Sequence, residues 1–195
     1  SSVVTLATFY LLRELELSAA RAEDLLFNHE VGEVRLRLSM SKNDASAKGT
    51  ERPWKCICDG EVTDPHRTCP YHAAAQHKAY LMEIFGDALK GPEFPLFPDR
   101  TGKEMKAENV LDFIELIALL CGEPLVTRGG IKRFGKHSFR ATGAVWLTAM
   151  GVDIYKVQIL GRWICSIVLH YCRLAPLKSI ADDYKRGKAT KDGSK

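Results

Sequence analysis

The chain has 195 residues, a length that favours one domain around a single hydrophobic core. Hydrophobic residues make up 46% of it and charged residues 27%, as in ordinary globular proteins, and no apolar run reaches the ~18–20 residues that span a bilayer. The net charge of +4 permits a polyanionic partner without requiring one, and we expect no membrane partner.

Apolar periodicity predicts the elements of the first half of the chain. Steps of three and four residues predict a helix over residues 3–26. Residues 31–40 alternate between apolar and polar, which predicts a half-buried strand followed by a polar loop at 41–49. The inward face of that strand would be formed by Val34, Leu36, Leu38 and Met40.

Helical patterns dominate the second half. Helices are expected over 72–89 and 106–121, and another from Ser138, a candidate N-cap, to Gly151. Two shorter helices should follow, one capped by Asp153 and ending at Gly161, the other covering 164–174.

These elements predict a fold that is mainly α with a small antiparallel β-sheet (α+β). We expect residues 1–184 to form one domain, with a Cys/His insertion at 52–72. The Lys- and Gly-rich residues 185–195 should be a disordered basic tail.

Six cysteines divide into two groups. Three crowd into the segment 56–69, and the other three lie singly in apolar helical patterns. This differs from the evenly spread framework of a secreted, disulfide-bonded protein. We therefore expect a reducing intracellular compartment, either nuclear or cytoplasmic.

Two basic residues precede the cysteines in places that need an explanation. Arg13 falls on the apolar face of the first predicted helix. It is either a buried arginine paired with Glu16 or Glu23, since buried charges are usually paired, or a ligand for an anion. Lys42 follows the predicted strand and is either a solvated lysine or an ammonium that reaches a phosphate or a leaving group.

The Cys/His insertion carries a metal-ligand pattern. Cys56-x-Cys58 is followed by Cys69-x-x-His72, which supplies the four soft or borderline ligands that tetrahedral zinc requires. His66 is a substitute ligand. Such a zinc ion would be structural, because neither an open coordination position nor a neighbouring base is indicated. The alternative is a set of free cysteines beside a loop, since C-x-C is a less usual spacing than C-x-x-C.

Two more motifs lie downstream. His137 and Arg140 are spaced i,i+3 at a helix start, where both side chains and the free N–H groups could meet one anion, although H-x-x-R alone is a weak signal. The sequence L-G-R-W at 160–163 precedes Tyr171, which is either a core aromatic residue or a nucleophile.

The order and spacing of these motifs resemble those of the tyrosine recombinase (phage integrase) family. The match consists of R-x-x-E-L with D-L downstream, a lysine at a hairpin, H-x-x-R, L-G-[RHW] and a following tyrosine, from about Leu6 to Pro176. G-R-W followed by Y-x-R is most similar to the recombinases of eukaryotic mobile elements.

The resemblance implies a phosphate-binding group. Arg13 and Arg140 would hold the non-bridging oxygens of the scissile phosphate, and His137 would act as a general base or as a further phosphate ligand. We expect these three side chains to lie within about 10 Å of one another and of the Tyr171 hydroxyl.

The resemblance also implies the groups that move atoms and protons. Tyr171 would attack phosphorus and form a 3′-phosphotyrosyl link, and Lys42 would protonate the departing 5′-oxygen. Either Arg162 or Trp163 would donate a hydrogen bond to the transition state, because Arg162 stands where histidine is common. Catalysis would need no metal ion or other cofactor.

The implied partners are double-stranded DNA and further copies of the chain assembled on it. Members of the family have a further helix and a DNA-clamping domain before the first arginine, whereas twelve residues precede Arg13 and Leu12 replaces the usual glycine. We therefore expect a fragment or a degenerate copy. Alternative functions are a non-cleaving DNA-binding module and a zinc-stapled interaction domain; a type IB topoisomerase is disfavoured because no long linker precedes the tyrosine.

Overall fold

The computed structural model describes residues 2–38, 49–58 and 68–172. The chain divides into two compact units, Ser1–Arg140 and Ala141–Lys195. None of the helices in the described ranges combines the length and the apolar character that crossing a membrane would require.

The described elements are mainly helical, with one small sheet, which confirms the predicted fold class. In chain order they are α1 (Ser2–Phe9), α2 (Glu14–Ala19), β1 (Leu25–Asn28), β2 (Glu33–Leu38), β3 (Thr50–Lys55), α3 (Pro70–Phe85), α4 (Ala107–Leu120), α5 (Ser138–Ala149), α6 (Ile154–Gly161) and α7 (Ile167–Cys172).

The sheet is antiparallel in the order β1-β2-β3, so β3 is an edge strand among the strands that the structure describes. The strand predicted from alternation is β2, in which Val34, Leu36 and Leu38 are buried and the intervening side chains are more exposed, as predicted. Met40 of that prediction lies outside the described residues.

The single helix predicted over 3–26 is wrong. The chain turns after Phe9, because Leu11 adopts a left-handed conformation with φ 52° and the Leu12 amide donates to the Ala7 carbonyl at 2.9 Å. This hydrogen-bonding pattern is typical of helix ends at which the left-handed residue is usually glycine. A second helix, α2, then starts after Arg13, and the last residues of the predicted helix belong to β1.

The core of the first unit lies between the sheet and the helices α1 to α4. Its fully buried members include Leu6, Tyr10, Leu17, Val34, Leu36, Leu96, Phe97 and Val110. The hydroxyl of Tyr10 donates to the Val34 carbonyl at 3.1 Å, which ties α1 to β2. Burial, with a smaller contribution from Glu33, raises the pKa of Tyr10 well above its ordinary value.

The later helices begin differently from one another. Asp153 caps α6 as predicted, since its carboxylate accepts the amides of Tyr155 and Lys156. Ser138 is not an N-cap but the first residue of α5, and its hydroxyl accepts the Gly135 amide at 2.9 Å. The last helix, α7, starts at Ile167, three residues later than predicted, and continues to Cys172, where the described residues end.

Candidate active site

Arg13 lies at the N-cap position of α2 with 18% of its side chain exposed. Its amide donates to Glu16 Oε2 at 2.9 Å and its Nη1 pairs with Oε1 of the same carboxylate at 3.1 Å. The ion pair considered as the structural alternative therefore exists. It also fixes the guanidinium at a turn instead of inside a continuous helix.

Arg140 is 1% exposed, the largest completely buried side chain among the described residues. Its Nη1 donates to the Leu11 carbonyl at 3.0 Å. That carbonyl belongs to the turn between α1 and α2, two residues before Arg13. The fold thus brings the buried guanidinium of α5 to the turn that presents the first arginine, although Arg13 and Arg140 are 127 positions apart in sequence.

His137 lies one residue before α5 and is exposed, unlike Arg140 three residues later. Lys42 lies outside the described residues, in the connection between β2 and β3. The expected proximity of Tyr171 to Arg13, Arg140 and His137 stays a prediction.

A basic hairpin leads into α5. The Val126–Lys132 bridge and the bond from the Arg133 amide to the Leu125 carbonyl form it, and Gly130 turns its tip with φ 76°. Arg128 and Lys136 along this segment are exposed. The hairpin therefore displays positive charge just before His137.

The second unit carries the remaining candidates. Arg162 ends α6 in a left-handed conformation, with φ 56° and ψ 40°, so the chain reverses directly before Trp163. The six-membered ring of Trp163 lies against Gly161 so closely that any side chain at Gly161 would overlap it. The Trp163 ring also contacts Tyr171: the two ring centroids lie 5.6 Å apart, and the ring planes make an angle of 34°.

Tyr171 lies on α7 and is half-buried. The next residue holds the helix in place: Cys172 Sγ lies 3.1 Å from Thr148 Oγ1 and 3.7 Å from the Ala144 carbonyl, both on α5. A buried cysteine thus positions the helix that presents the candidate nucleophile.

Two groups that position candidate site residues were not identified from the sequence. The Gln158 amide donates to the carbonyls of Trp163 and Cys165 at 3.1 and 3.4 Å and so braces the turn between α6 and α7. The carbonyl of Leu11 holds Arg140. No pattern signals either one, since a main-chain acceptor and a helix-surface glutamine look ordinary in sequence.

The Cys/His insertion gathers its four predicted ligands. Cys56 and Cys58 follow β3, Cys69 is the N-cap of α3 and His72 lies in its first turn. Their ligand atoms all lie within 4.8 Å of one another. His66 lies outside the described residues. The group can hold a metal ion.

The electrostatics of Cys69 suit a metal ligand. Burial acts to raise the pKa of its thiol, but hydrogen bonds from the amides of His72 and Ile57 and contacts with the His72 and Cys56 side chains outweigh it. The pKa of Cys69 falls to about 7, which favours the thiolate that metals bind.

Neither any protein-family model nor any curated protein matches the sequence. Solved structures do resemble it. The XerH site-specific recombinase, bound to a palindromic difH substrate in a post-cleavage complex, has a TM-score of 0.61 and 15% identity, covering 89% of this chain and 42% of that one. The XerA recombinase has a TM-score of 0.59 and 15% identity, covering 96% of this chain and 55% of its own.

The pre-cleavage complex of XerH with difH gives a TM-score of 0.60 and 14% identity, with 95% of this chain covered and 45% of the other. This chain therefore spans about half the length of these solved recombinases. At these identities the likeness concerns the fold alone. The fold of this chain is that of the catalytic domain of tyrosine recombinases.

Proposed function

We propose that this chain is the catalytic part of a site-specific DNA recombinase that cuts and rejoins DNA strands through a 3′-phosphotyrosyl intermediate. The observation that carries the proposal is the bond from Arg140 to the Leu11 carbonyl. It brings two arginine motifs, far apart in sequence, to one turn on a recombinase-like fold. Two guanidinium groups near one phosphate can bind both non-bridging oxygens, because the planar fork matches that geometry.

In the proposed reaction the Tyr171 oxygen attacks phosphorus, the bond from phosphorus to the 5′-oxygen breaks, and that oxygen takes up a proton. Lys42 supplies this proton. A tyrosine hydroxyl has an ordinary pKa near ~10, so cations around the phosphate are needed to favour its phenolate. The reverse attack by a 5′-hydroxyl rejoins the strand and frees the tyrosine, so that no nucleotide is consumed.

Trp163 is the better candidate for the additional transition-state donor. Its ring lies against that of Tyr171, whereas Arg162 occupies the helix end with its main chain in the left-handed region. An indole N–H is a donor only, so it can stabilise a developing oxyanion but cannot remove a proton. His137 is then left as the general base or as a further phosphate ligand.

The proposed partner is double-stranded DNA, since XerH in the similar structures is bound to its difH substrate. Several copies of the chain would assemble on the DNA. G-R-W followed by Y-x-R further suggests a recombinase of a eukaryotic mobile element. Free cysteine thiols fit a nuclear or cytoplasmic location.

A non-cleaving DNA-binding module is the second candidate. The observation that favours it is that both arginines also have structural contacts: Arg13 pairs with Glu16, and Arg140 bonds to the main chain. A chain that had lost catalysis would still need them to fold.

We also propose that the Cys/His group holds a structural zinc ion, with no part in strand transfer. Three cysteines and one histidine form a common structural zinc site and leave no coordination position for a substrate. Elemental analysis of protein purified without a chelator should find close to one equivalent of zinc, and less than about a tenth would contradict the proposal.

The test of strand transfer is Tyr171→Phe, which removes only the hydroxyl and leaves the ring to pack against Trp163. With end-labelled, nicked DNA on a denaturing gel, we expect the unmodified chain to form a covalent adduct and Tyr171→Phe to form none, while both bind DNA in a native gel. Tyr155→Phe is the matched control, because Tyr155 lies in the same unit and is exposed.

An undiminished adduct in Tyr171→Phe would show that another tyrosine is the nucleophile. DNA binding without any adduct from the unmodified chain would favour the non-cleaving module.

A further inference from the structure

The four residues of the Cys/His group come from two elements, β3 and α3. Cys56 and Cys58 leave the end of β3, and Cys69 and His72 open α3. Cys56 also continues the sheet, since its amide donates to the Gly32 carbonyl at 2.8 Å. A metal ion here would be bonded to the end of the sheet and to the first turn of the helix at the same time.

Three of the six distances between the ligand atoms are close to those of tetrahedral coordination, and all six are within 4.8 Å. With Zn–S bonds of ~2.3 Å and Zn–N bonds of ~2.0–2.1 Å at tetrahedral angles, two sulfurs should lie about 3.8 Å apart and a sulfur and a nitrogen about 3.6 Å. Cys69 Sγ lies 3.8 Å from Cys56 Sγ. His72 Nδ1 lies 3.8 Å from Cys56 Sγ and 3.4 Å from Cys58 Sγ. Nδ1 is therefore the histidine ligand atom.

The strand beside this group is weakly held by other means. No residue of β3 is fully buried, and its side chains alternate between half-buried and exposed. Pro53, opposite Arg35, has no amide to donate to the ladder. Trp54 supplies an edge-on contact with Phe9 at 4.9 Å. With no fully buried side chain of its own, β3 would be stabilised by a further anchor at its end.

Other contacts join α3 to the β1 side of the sheet. The hydroxyl of Tyr71 lies 2.9 Å from Nδ1 of His29, just beyond β1, and its ring meets Phe27 edge-on. The Lys78 ammonium lies 5.2 Å above the Phe27 ring. The turn that carries His72 thus already contacts the β1 side of the sheet, and the metal would add the β3 side.

We infer that one zinc ion, bound by Cys56 Sγ, Cys58 Sγ, Cys69 Sγ and His72 Nδ1, anchors the end of β3 to the first turn of α3 and keeps the edge of the sheet paired. The inference rests on the proposed zinc and is independent of strand transfer. Loss of the ion opens the β2–β3 pairing, while the helices that pack through apolar side chains remain folded.

The experiment measures amide hydrogen exchange of the full chain with zinc bound and after removal of zinc by a chelator. We expect the amides of 50–56 to exchange at least ~10-fold faster without metal, and those of α4, in the same unit, to change little. Cobalt substitution supplies a second readout, because three thiolates around tetrahedral Co²⁺ give a sulfur-to-metal charge-transfer band in the near ultraviolet.

Cys58→Ser is the test variant, since Cys58 is partly exposed and its loss removes one ligand with little loss of packing. We expect its zinc affinity to fall at least ~10-fold and its β3 exchange to match that of the metal-free chain. Cys121→Ser, which changes an exposed cysteine outside the group, is the matched control and should retain both properties.

A chain that binds one zinc equivalent yet shows equal β3 exchange with and without it would overturn the anchoring role and leave the zinc site intact. A chain with no zinc, or with a Cys56–Cys69 disulfide in its place, would overturn both. Neither result would bear on adduct formation by Tyr171.

Discussion

Arg140 serves the fold through the same group that we propose to bind phosphate. Its guanidinium is buried and donates to the Leu11 carbonyl. Arg140→Ala should lower the cleavage rate at least ~100-fold, as loss of one preorganised donor does, and should also reduce the free energy of unfolding by about 1–3 kcal/mol, because a buried acceptor loses its partner. Adduct kinetics and urea denaturation measure the two effects.

Arg128→Ala is the control for this substitution, since Arg128 is exposed on the basic hairpin. It should leave the free energy of unfolding within about 0.5 kcal/mol of the original. Unchanged stability in Arg140→Ala would mean that the Leu11 contact contributes nothing to the fold.

Glycine is required at position 161 because the Trp163 ring occupies the space of a side chain, and not because the backbone has a positive φ. A side chain there would overlap the Trp163 ring, so Gly161→Ala should push that ring away from Tyr171 and destabilise the chain by about 1–3 kcal/mol. Urea denaturation, with tryptophan fluorescence to follow the ring, tests this. Gly135→Ala is the matched control, because no atom lies within 4 Å of the position that its methyl would take. Equal effects of the two substitutions would refute the overlap.

Single residues differ in how far the sequence predicted their surroundings. The four residues of the Cys/His group were predicted to lie together, because their spacing is typical of a metal site and the structure brings them within 4.8 Å of one another. The partner of Arg140 was not, because a carbonyl 129 positions away has no side-chain signature. The need for glycine at position 161 was not predicted for the same reason, because it depends on where the fold places the Trp163 ring.

At the scale of elements, α3 carries a buried histidine that makes stability depend on pH. His77 Nε2 donates to the Leu96 carbonyl at 2.7 Å, and burial lowers the pKa of His77 below its ordinary 6.5. The unfolded chain therefore takes up a proton before the folded chain does. The stabilisation is complete above pH ~6.5 and is lost as the pH falls toward the folded pKa.

We expect the free energy of unfolding to drop between pH 7.5 and 5.5 by more in the unmodified chain than in His77→Gln, which has no proton to gain. Urea denaturation at both values measures the difference. His29→Gln, at an exposed histidine, should retain the full pH dependence. A pH dependence in His77→Gln as steep as in the unmodified chain would contradict the role of His77.

Elements with a one-sided apolar pattern were predicted well. The strand β2 and the helices α3, α4 and α6 lie close to the expected positions, because each buries one regular face. The break in the first helix was missed because Leu11 takes a conformation that favours glycine. The strand β3 was missed because it buries no residue fully and contains a proline.

At the scale of the whole molecule, the net charge is +4, and the basic hairpin contributes exposed positive charge to it. Within the described residues, Arg128 and Lys136 are exposed with no ion pair. We expect the affinity for duplex DNA to fall steeply with salt, and the double substitution Arg128→Ala with Lys136→Ala to reduce the slope of log K against log salt by about 2. Fluorescence anisotropy over a salt series measures this.

Lys90→Ala, which removes a lysine paired with Asp87 in the short 3-10 helix after α3, is the control and should leave the slope unchanged. An unaltered slope in the double variant would exclude the hairpin from the DNA interface.

The contact between Arg140 and Leu11 has a consequence for how such a chain decays. We expect mutation of Arg140 to reduce stability whether or not the chain cleaves DNA, so selection for a stable protein alone would retain this arginine. The hydroxyl of Tyr171 has no hydrogen bond to another described residue, and phenylalanine would preserve the ring packing on Trp163. In a copy that no longer cleaves DNA, we therefore expect Tyr171 to be substituted sooner than the buried Arg140. The tyrosine is the more informative of the two residues for judging whether a chain of this kind still cleaves DNA.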